Sequence, residues 1–136
     1  PYTDLDDPDY PTLMDKLMEA MGAEPVDYAV KARCCGGSIA GVTAEVGLAL
    51  NYLLLKEAKR QGADVIVTLC PLCQLNLEIN QDKIVKKYKD DVKMPVLYFT
   101  QLMGLGLGVA KEDLGFNRSI IPLDKMWAKL ANGGAK

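Results

Sequence analysis

Two tight pairs of cysteines constrain this 136-residue chain more than any other feature. Cys34 and Cys35 are adjacent in Ala-Arg-Cys-Cys-Gly-Gly-Ser, and Cys70 and Cys73 lie in Leu-Cys-Pro-Leu-Cys-Gln-Leu. The chain holds 4 cysteines and no histidine, so its candidate anionic soft ligands are thiolates. A fold that left residues 36–69 as a spacer would strand the two pairs far from each other. A fold that reversed direction in that interval would bring four sulfurs to one place.

Length and composition fit one domain, since 49% apolar residues suffice for a core. Charged residues make up 25% and the net charge is −2, so nothing attracts nucleic acid or an anionic membrane. No apolar run approaches the roughly 18 residues that a membrane helix needs. The longest candidate, 104–110, is short and glycine-rich. No signal peptide is visible, and a cytoplasmic location is expected. The chain begins with proline, which suggests a trimmed chain or a fragment.

Residues 1–11 carry three prolines and four aspartates and read as an approach loop or arm, with Pro11 suited to a first helical position. Leu13, Leu17, Met18 and Met21 recur at helical spacing and Gly22 is a stop, so a helix is expected over 11–21, with Asp15 and Lys16 in solvent. Residues 25–30 are a strand candidate. Ser38 is a suitable N-cap for a helix running to Arg60, with Ile39, Val42, Val46, Leu50, Leu53 and Leu54 as its inward stripe. Gly62 ends it. The unbroken run 65–69 fits a strand buried on both faces.

That strand delivers Cys70, and Pro71 opens another helix with Leu72, Leu75, Ile79 and Val85 as inward candidates. Residues 95–99 form a third strand candidate, 101–109 a small-residue helix, 111–115 a turn and 123–130 a last helix bearing Trp127, a core anchor or docking residue. The Gly-Gly-Ala-Lys ending reads as a frayed tail. Lysines 83–93 read as a solvated helix face. Gly104, Gly106 and Gly108 lack the placement of a phosphate loop and are better explained by close packing.

Strand and helix alternate, which predicts an α/β architecture: a mostly parallel sheet flanked by helices, with the cysteine loops at the C-terminal strand edge. Ligands in open α/β sheets bind at that edge. All four sulfurs are therefore expected to converge there.

Four thiolates without histidine suit an iron–sulfur site or tetrahedral zinc equally well. A strand–Cys-x-x-Cys–helix arrangement also resembles a thioredoxin-like dithiol site, which would leave Cys34 and Cys35 unexplained. Structural disulfides are disfavoured, because bonding neighbouring Cys34 and Cys35 makes a strained ring. Four inert buried thiols are the blandest reading.

Cys34-Cys35-Gly36-Gly37, then Cys70-Pro71-Leu72-Cys73-Gln74-Leu75-Asn76-Leu77, resembles the cysteine-rich CCG domain of the B subunit of heterodisulfide reductase and related proteins of sulfur metabolism. The segments 6–8, 22–27 and 95–102 extend the resemblance over nearly the whole chain. It implies an oxidoreductase subunit that transfers electrons to or from a disulfide/thiol substrate through a non-cubane 4Fe-4S cluster. Cys34, Cys35, Cys70 and Cys73 would be metal ligands, with Gly36 and Gly37 touching the cofactor and no catalytic residue beyond the ligands.

The family pattern has a fifth cysteine upstream of the pair, and none precedes Cys34 here. The resemblance therefore implies that 1–136 is a single CCG domain, the C-terminal fragment of a two-domain subunit. Zinc or an empty site are the alternatives to a cluster in such a fragment. The expected partners are other subunits of a heterodisulfide-reductase-like complex and a disulfide/thiol substrate, with no nucleic acid and no transmembrane segment. The isolated chain is expected to be inactive. A zinc-binding interaction module or a thioredoxin-like dithiol oxidoreductase are the alternative functions.

Overall fold

The computed structural model describes residues 6–131; the start of the arm and the Gly-Gly-Ala-Lys ending lie outside the described residues. Helix α1, Leu13–Ala20, is followed by a long irregular segment, then α2, Ala44–Arg60. Strand β1, Ile66–Thr68, leads into α3, Pro71–Ile79, and α4, Gln81–Tyr88. Strand β2, Val96–Tyr98, leads into α5, Phe99–Gly106; two short 3-10 turns and α6, Asp124–Ala131, complete the described chain. The two strands pair in parallel, Ile66 opposite Val96 and Thr68 opposite Tyr98. The fold is α/β, with the parallel connection running through α3 and α4.

Val96 and Leu97 are fully buried at the centre. On one side Ile66 and Val96 join Leu54, Leu55, Ala58, Leu77, Ile84, Val92 and Met94. On the other, Leu97 packs with Phe116, Leu123 and Met126, and Trp127 meets the edge of Phe116 with ring centroids 5.0 Å apart. Trp127 is thus a core anchor. Gly104 and Gly106 do serve close packing, since a Cβ on Gly104 would overlap the Leu114 side chain and one on Gly106 would lie 2.9 Å from Met21. Gly108 does not: a Cβ there would meet nothing within 4 Å, and its φ of +79 is the conformation that favours glycine.

Several sequence expectations need correction. Residues 25–30 form no strand. Tyr28 and Val30 instead pack against the core from a loop, and the Tyr28 hydroxyl donates to the Leu54 carbonyl at 2.8 Å. The helix expected from Ser38 starts at Ala44, because residues 36–43 fold into successive turns; the Ile39 and Ala40 amides both donate to the Gly36 carbonyl. Pro11 does not begin α1. Its first amides are capped by Asp6, whose carboxylate accepts from Thr12 and Leu13 N–H, and these bonds hold its pKa down at about 2. Asp15 is not free in solvent but pairs with Lys31.

The helix expected from Pro71 breaks at Asn80, whose carboxamide donates to the Asn76 carbonyl at 2.9 Å and so competes with the backbone for that acceptor. The inward faces also differ. Helix α2 buries Gly47, Asn51, Leu54, Leu55 and Ala58, leaving Val42 87% exposed before it and Val46 and Leu53 open to solvent. Helix α3 buries Asn76, Leu77 and Glu78, while Leu72, Leu75 and Ile79 face out.

Glu78 is the acid in this interior. Its Oε2 accepts from the Ile120 amide at 3.3 Å, and its buried Oε1 has no partner among the described residues. Burial pushes its pKa above the ordinary carboxylate value, so the folded chain holds this proton more tightly than the unfolded chain. As pH rises through and above the carboxylate range, the native state gives up that advantage. Thermal melts from about pH 4 to 8 should therefore show Glu78→Gln gaining stability relative to the parent as pH rises. A difference that is flat with pH would show that the carboxyl titrates alike in both states.

Candidate functional site

Cys70 occupies the position just before α3, with an extended backbone (φ −109, ψ 119), and Pro71 supplies a first helical residue that needs no N–H partner. Strand β1 ends two residues earlier, so the strand aims Cys70 at the C-terminal edge of the sheet. Cys73 follows one helical turn on and lies on the same side. The Cys73 amide and thiol both face the Cys70 sulfur and hold its pKa below the ordinary thiol value, and Cys70 is exposed. Burial, with the neighbouring Cys35 and Cys70 thiols, pushes Cys73 up to about 12.

The second pair reaches the site without a strand to carry it. Cys35 is 3% exposed and belongs to the main core, and its Sγ lies 3.1 Å from Cys73 Sγ. Cys34, its exposed neighbour, accepts instead from the Gly36 amide at 3.3 Å. The structure therefore puts Cys35 against Cys73, one turn along α3 from Cys70. Cys34 is the exposed neighbour of Cys35 and, among the described residues, is not bonded to Cys70 or Cys73, so the expected convergence of all four sulfurs is met only in part.

Among the described residues no three Cys, Asp or Glu side chains are spaced to hold a metal ion as they stand. The chemistry of the donors nevertheless fits a thiophilic group. Three sulfurs gather beside the start of α3, where free amides favour negative charge. A bound cation would also reverse the crowding that keeps Cys73 protonated, because a coordinated thiol is deprotonated outright.

Close packing fixes the loop. Gly36 has φ +77, and a Cβ there would lie 2.9 Å from Leu50 Cδ1 and 3.2 Å from Gly47 Cα. A Cβ on Gly37 would lie 3.0 Å from Leu72 Cγ. The two glycines thus let the cysteine loop lie directly on α2 and α3, a packing role that the cofactor contact expected of them did not include.

The sequence reading missed the buried amides. The Asn76 carboxamide donates to the Cys35 carbonyl at 3.0 Å and to Asn51 Oδ1 at 3.4 Å, and Asn80 donates to Asn76 Oδ1 at 2.9 Å. Gln74 donates to the Val96 carbonyl at 3.3 Å, and Gln81 brackets Met94 by donating to its carbonyl and accepting from its amide. The available signal was spacing: Cys73, Asn76, Leu77 and Asn80 fall at i, i+3, i+4 and i+7, one continuous helical face.

Asn76→Ala would leave the Cys35 carbonyl without this donor and is expected to cost about 1–3 kcal/mol. Denaturant melts measure the loss, and Cys35 should react faster with a thiol reagent in the variant. Unchanged Cys35 reactivity would mean that the loop is held by packing alone.

A family model for the cysteine-rich CCG domain matches residues 2–78, which include all four cysteines. The chain is 36% identical over 131 residues to the B subunit of the ferredoxin:CoB-CoM heterodisulfide reductase of Methanosarcina mazei, covering 93% of this chain and 43% of that protein. It is 32% identical over 116 residues to the 8-methylmenaquinol:fumarate reductase membrane anchor subunit of Wolinella succinogenes, covering 85% and 41%. Against a protein of Archaeoglobus profundus that is named as like the heterodisulfide reductase B subunit, the figures are 32% over 111 residues, 80% and 37%. The chain thus spans less than half the length of these relatives.

Proposed function

The chain belongs to the family of cysteine-rich CCG domains, and from that premise we propose that it is the thiolate-bearing redox domain of a larger oxidoreductase subunit acting on sulfur groups. The observation that carries this reading is the 3.1 Å contact between Cys35 and Cys73, one residue from each pair, beside exposed Cys70. A shared site is what a joint ligand set requires.

The group proposed is a non-cubane 4Fe-4S cluster, which when bound would supply electrons to, or accept them from, a disulfide/thiol substrate. Cys34, Cys35, Cys70 and Cys73 would hold it. Gly36 and Gly37 would bring backbone, without side chains, up to its edge. Asn76 would keep the Cys35 half of the site in register with α3.

We also propose that this is one CCG domain of a two-domain subunit that works with other subunits of a heterodisulfide-reductase-like complex. Both reductase relatives, named as subunits, extend well beyond the matched region. In support, Leu69, Leu72, Leu75, Ile79 and Ile120 are exposed, and the first four follow one another along the start and outer face of α3. Such an apolar surface beside a site fits a covering domain or a further subunit. Among the described residues no helix is long and apolar enough to cross a membrane. We further propose a cytoplasmic location, where a reducing environment would keep the four thiols available as ligands.

Anaerobic loading with iron and sulfide tests the site. The expected result is bound iron with labile sulfide, lost in Cys35→Ser and Cys73→Ser; zinc alone would favour an interaction module. A group bound by the folded chain only contributes to its stability. Cys73→Ser should therefore lower the melting temperature of the loaded chain more than that of a chelator-treated one. Equal losses would assign Cys73 to packing.

The metal-loaded chain, given a small disulfide and a recycling reductant, should not sustain turnover, because a two-electron reduction through one bound cluster needs a facing redox partner. Sustained turnover abolished in Cys70→Ser would favour the thioredoxin-like reading.

A further inference from the structure

Cys70 is exposed, Cys73 is half-buried and Cys35 is buried, so these three cysteines step from solvent into the core, with the Cys35 and Cys73 sulfurs 3.1 Å apart. Cys70 and Cys73 flank the first turn of α3, while Cys35 reaches Cys73 from the loop at 3.1 Å. A ligand set requires only that its sulfurs surround a common centre, whatever their depth. This gradient of depth is a separate property, and it acts when no metal occupies the thiols.

We propose that the metal-free domain is a thiol relay that takes oxidising equivalents from a small disulfide at Cys70 and stores them as a buried Cys35–Cys73 disulfide. The inference does not depend on which metal the thiols hold.

The steps balance as thiol–disulfide exchange. The Cys70 thiolate attacks a disulfide R–S–S–R, forms a mixed disulfide and expels one thiolate R–S⁻. The Cys73 thiol gives up its proton and attacks the Cys70 sulfur, closing Cys70–Cys73 and expelling the second R–S⁻. The Cys35 thiol gives up its proton and attacks the Cys73 sulfur, forming Cys35–Cys73 and returning Cys70 as the thiolate. Two electrons pass from Cys35 and Cys73 to the small disulfide, and the two protons convert both R–S⁻ to thiols. Cys70 ends unchanged.

Position decides the end point. A Cys70–Cys73 disulfide would keep one sulfur in solvent, open to attack by free thiols. The buried product would not. Cys35 is also held for the last step: its carbonyl is bound by Asn76, and its loop lies against Leu50 and Leu72 through Gly36 and Gly37. A sulfur fixed in contact with its target has a high effective concentration. The product would bind the cysteine loop covalently to α3 and block reloading of a metal until it is reduced. It would also shield two thiols from irreversible oxidation.

The test uses the full chain, reduced and chelator-treated, mixed with oxidised glutathione. Samples are quenched with an alkylating agent, digested and mapped by mass spectrometry. The expected result is loss of two of the 4 thiols, with the peptide pair containing Cys35 and Cys73 as the main linked species. Cys70→Ser should reach the same product roughly tenfold or more slowly, since the exposed thiol that receives the disulfide is gone. Cys35→Ser should stop at Cys70–Cys73, and Cys34→Ser should behave as the parent. The reading is overturned if the parent accumulates Cys70–Cys73 or a Cys34-containing link, if it forms no intramolecular disulfide, or if Cys70→Ser oxidises at the parent's rate. Recovery of the metal-binding capacity after reduction with dithiothreitol, together with the rise in melting temperature on oxidation, confirms that the chain stays folded throughout.

Discussion

The hydrogen bond from the Asn76 carboxamide to the Cys35 carbonyl, 3.0 Å long and buried, joins the two halves of the site. On one side is a loop with little regular structure; on the other is the helix that follows the central strand. The sulfurs meet only because these two pieces are in register. Asn51 and Asn80 extend the bond into a small network, and a polar network in an interior rigidifies what it connects. It also explains why α3 turns a partly polar face inward, since that face must both bind the loop and present Cys73.

The inward turn of polar residues has a consequence on the opposite surface. Leu72, Leu75 and Ile79 form the apolar stripe of α3, yet they are exposed, as are Val46 and Leu53 on α2. A lone domain would bury these stripes, as amphipathic helices in globular proteins do. Exposed apolar stripes on two helices that carry the cysteine site agree with a chain that spans less than half the length of its relatives. In the proposed larger subunit, the surface next to the thiols would be an interior face. Its chemistry then depends on what closes over Cys70, because exclusion of water strengthens every electrostatic interaction around a thiolate.

Among the described residues two strands carry the sheet, and β1 and β2 are both 3 residues long. Gln74 and Gln81 compensate for so short a ladder by bonding to the backbone at Val96, the first residue of β2, and at Met94, two residues before it. Side-chain amides thus take the place that further strands hold in larger sheets. The dense placement of Asn and Gln on α3 and α4 is the structural signature of that substitution.

The α/β class, the strand that delivers Cys70, the helix opened by Pro71, the second strand and the packing glycines 104 and 106 were all legible in the sequence. These features rest on local chemistry: β-branched runs, a proline lacking an N–H, and glycine spacing. The four-cysteine pattern likewise announced its family without a fold. Tertiary structure alone decided which faces of α2 and α3 turn inward, that residues 25–30 stay a loop, that Asp6 caps α1, and that Cys35 lies inside while Cys34 lies outside. Apolarity predicts burial only when the layer that buries it is present. On α3 the burying contacts come from a distant loop that needed hydrogen-bond donors, so Asn76 went in and Leu75 stayed out.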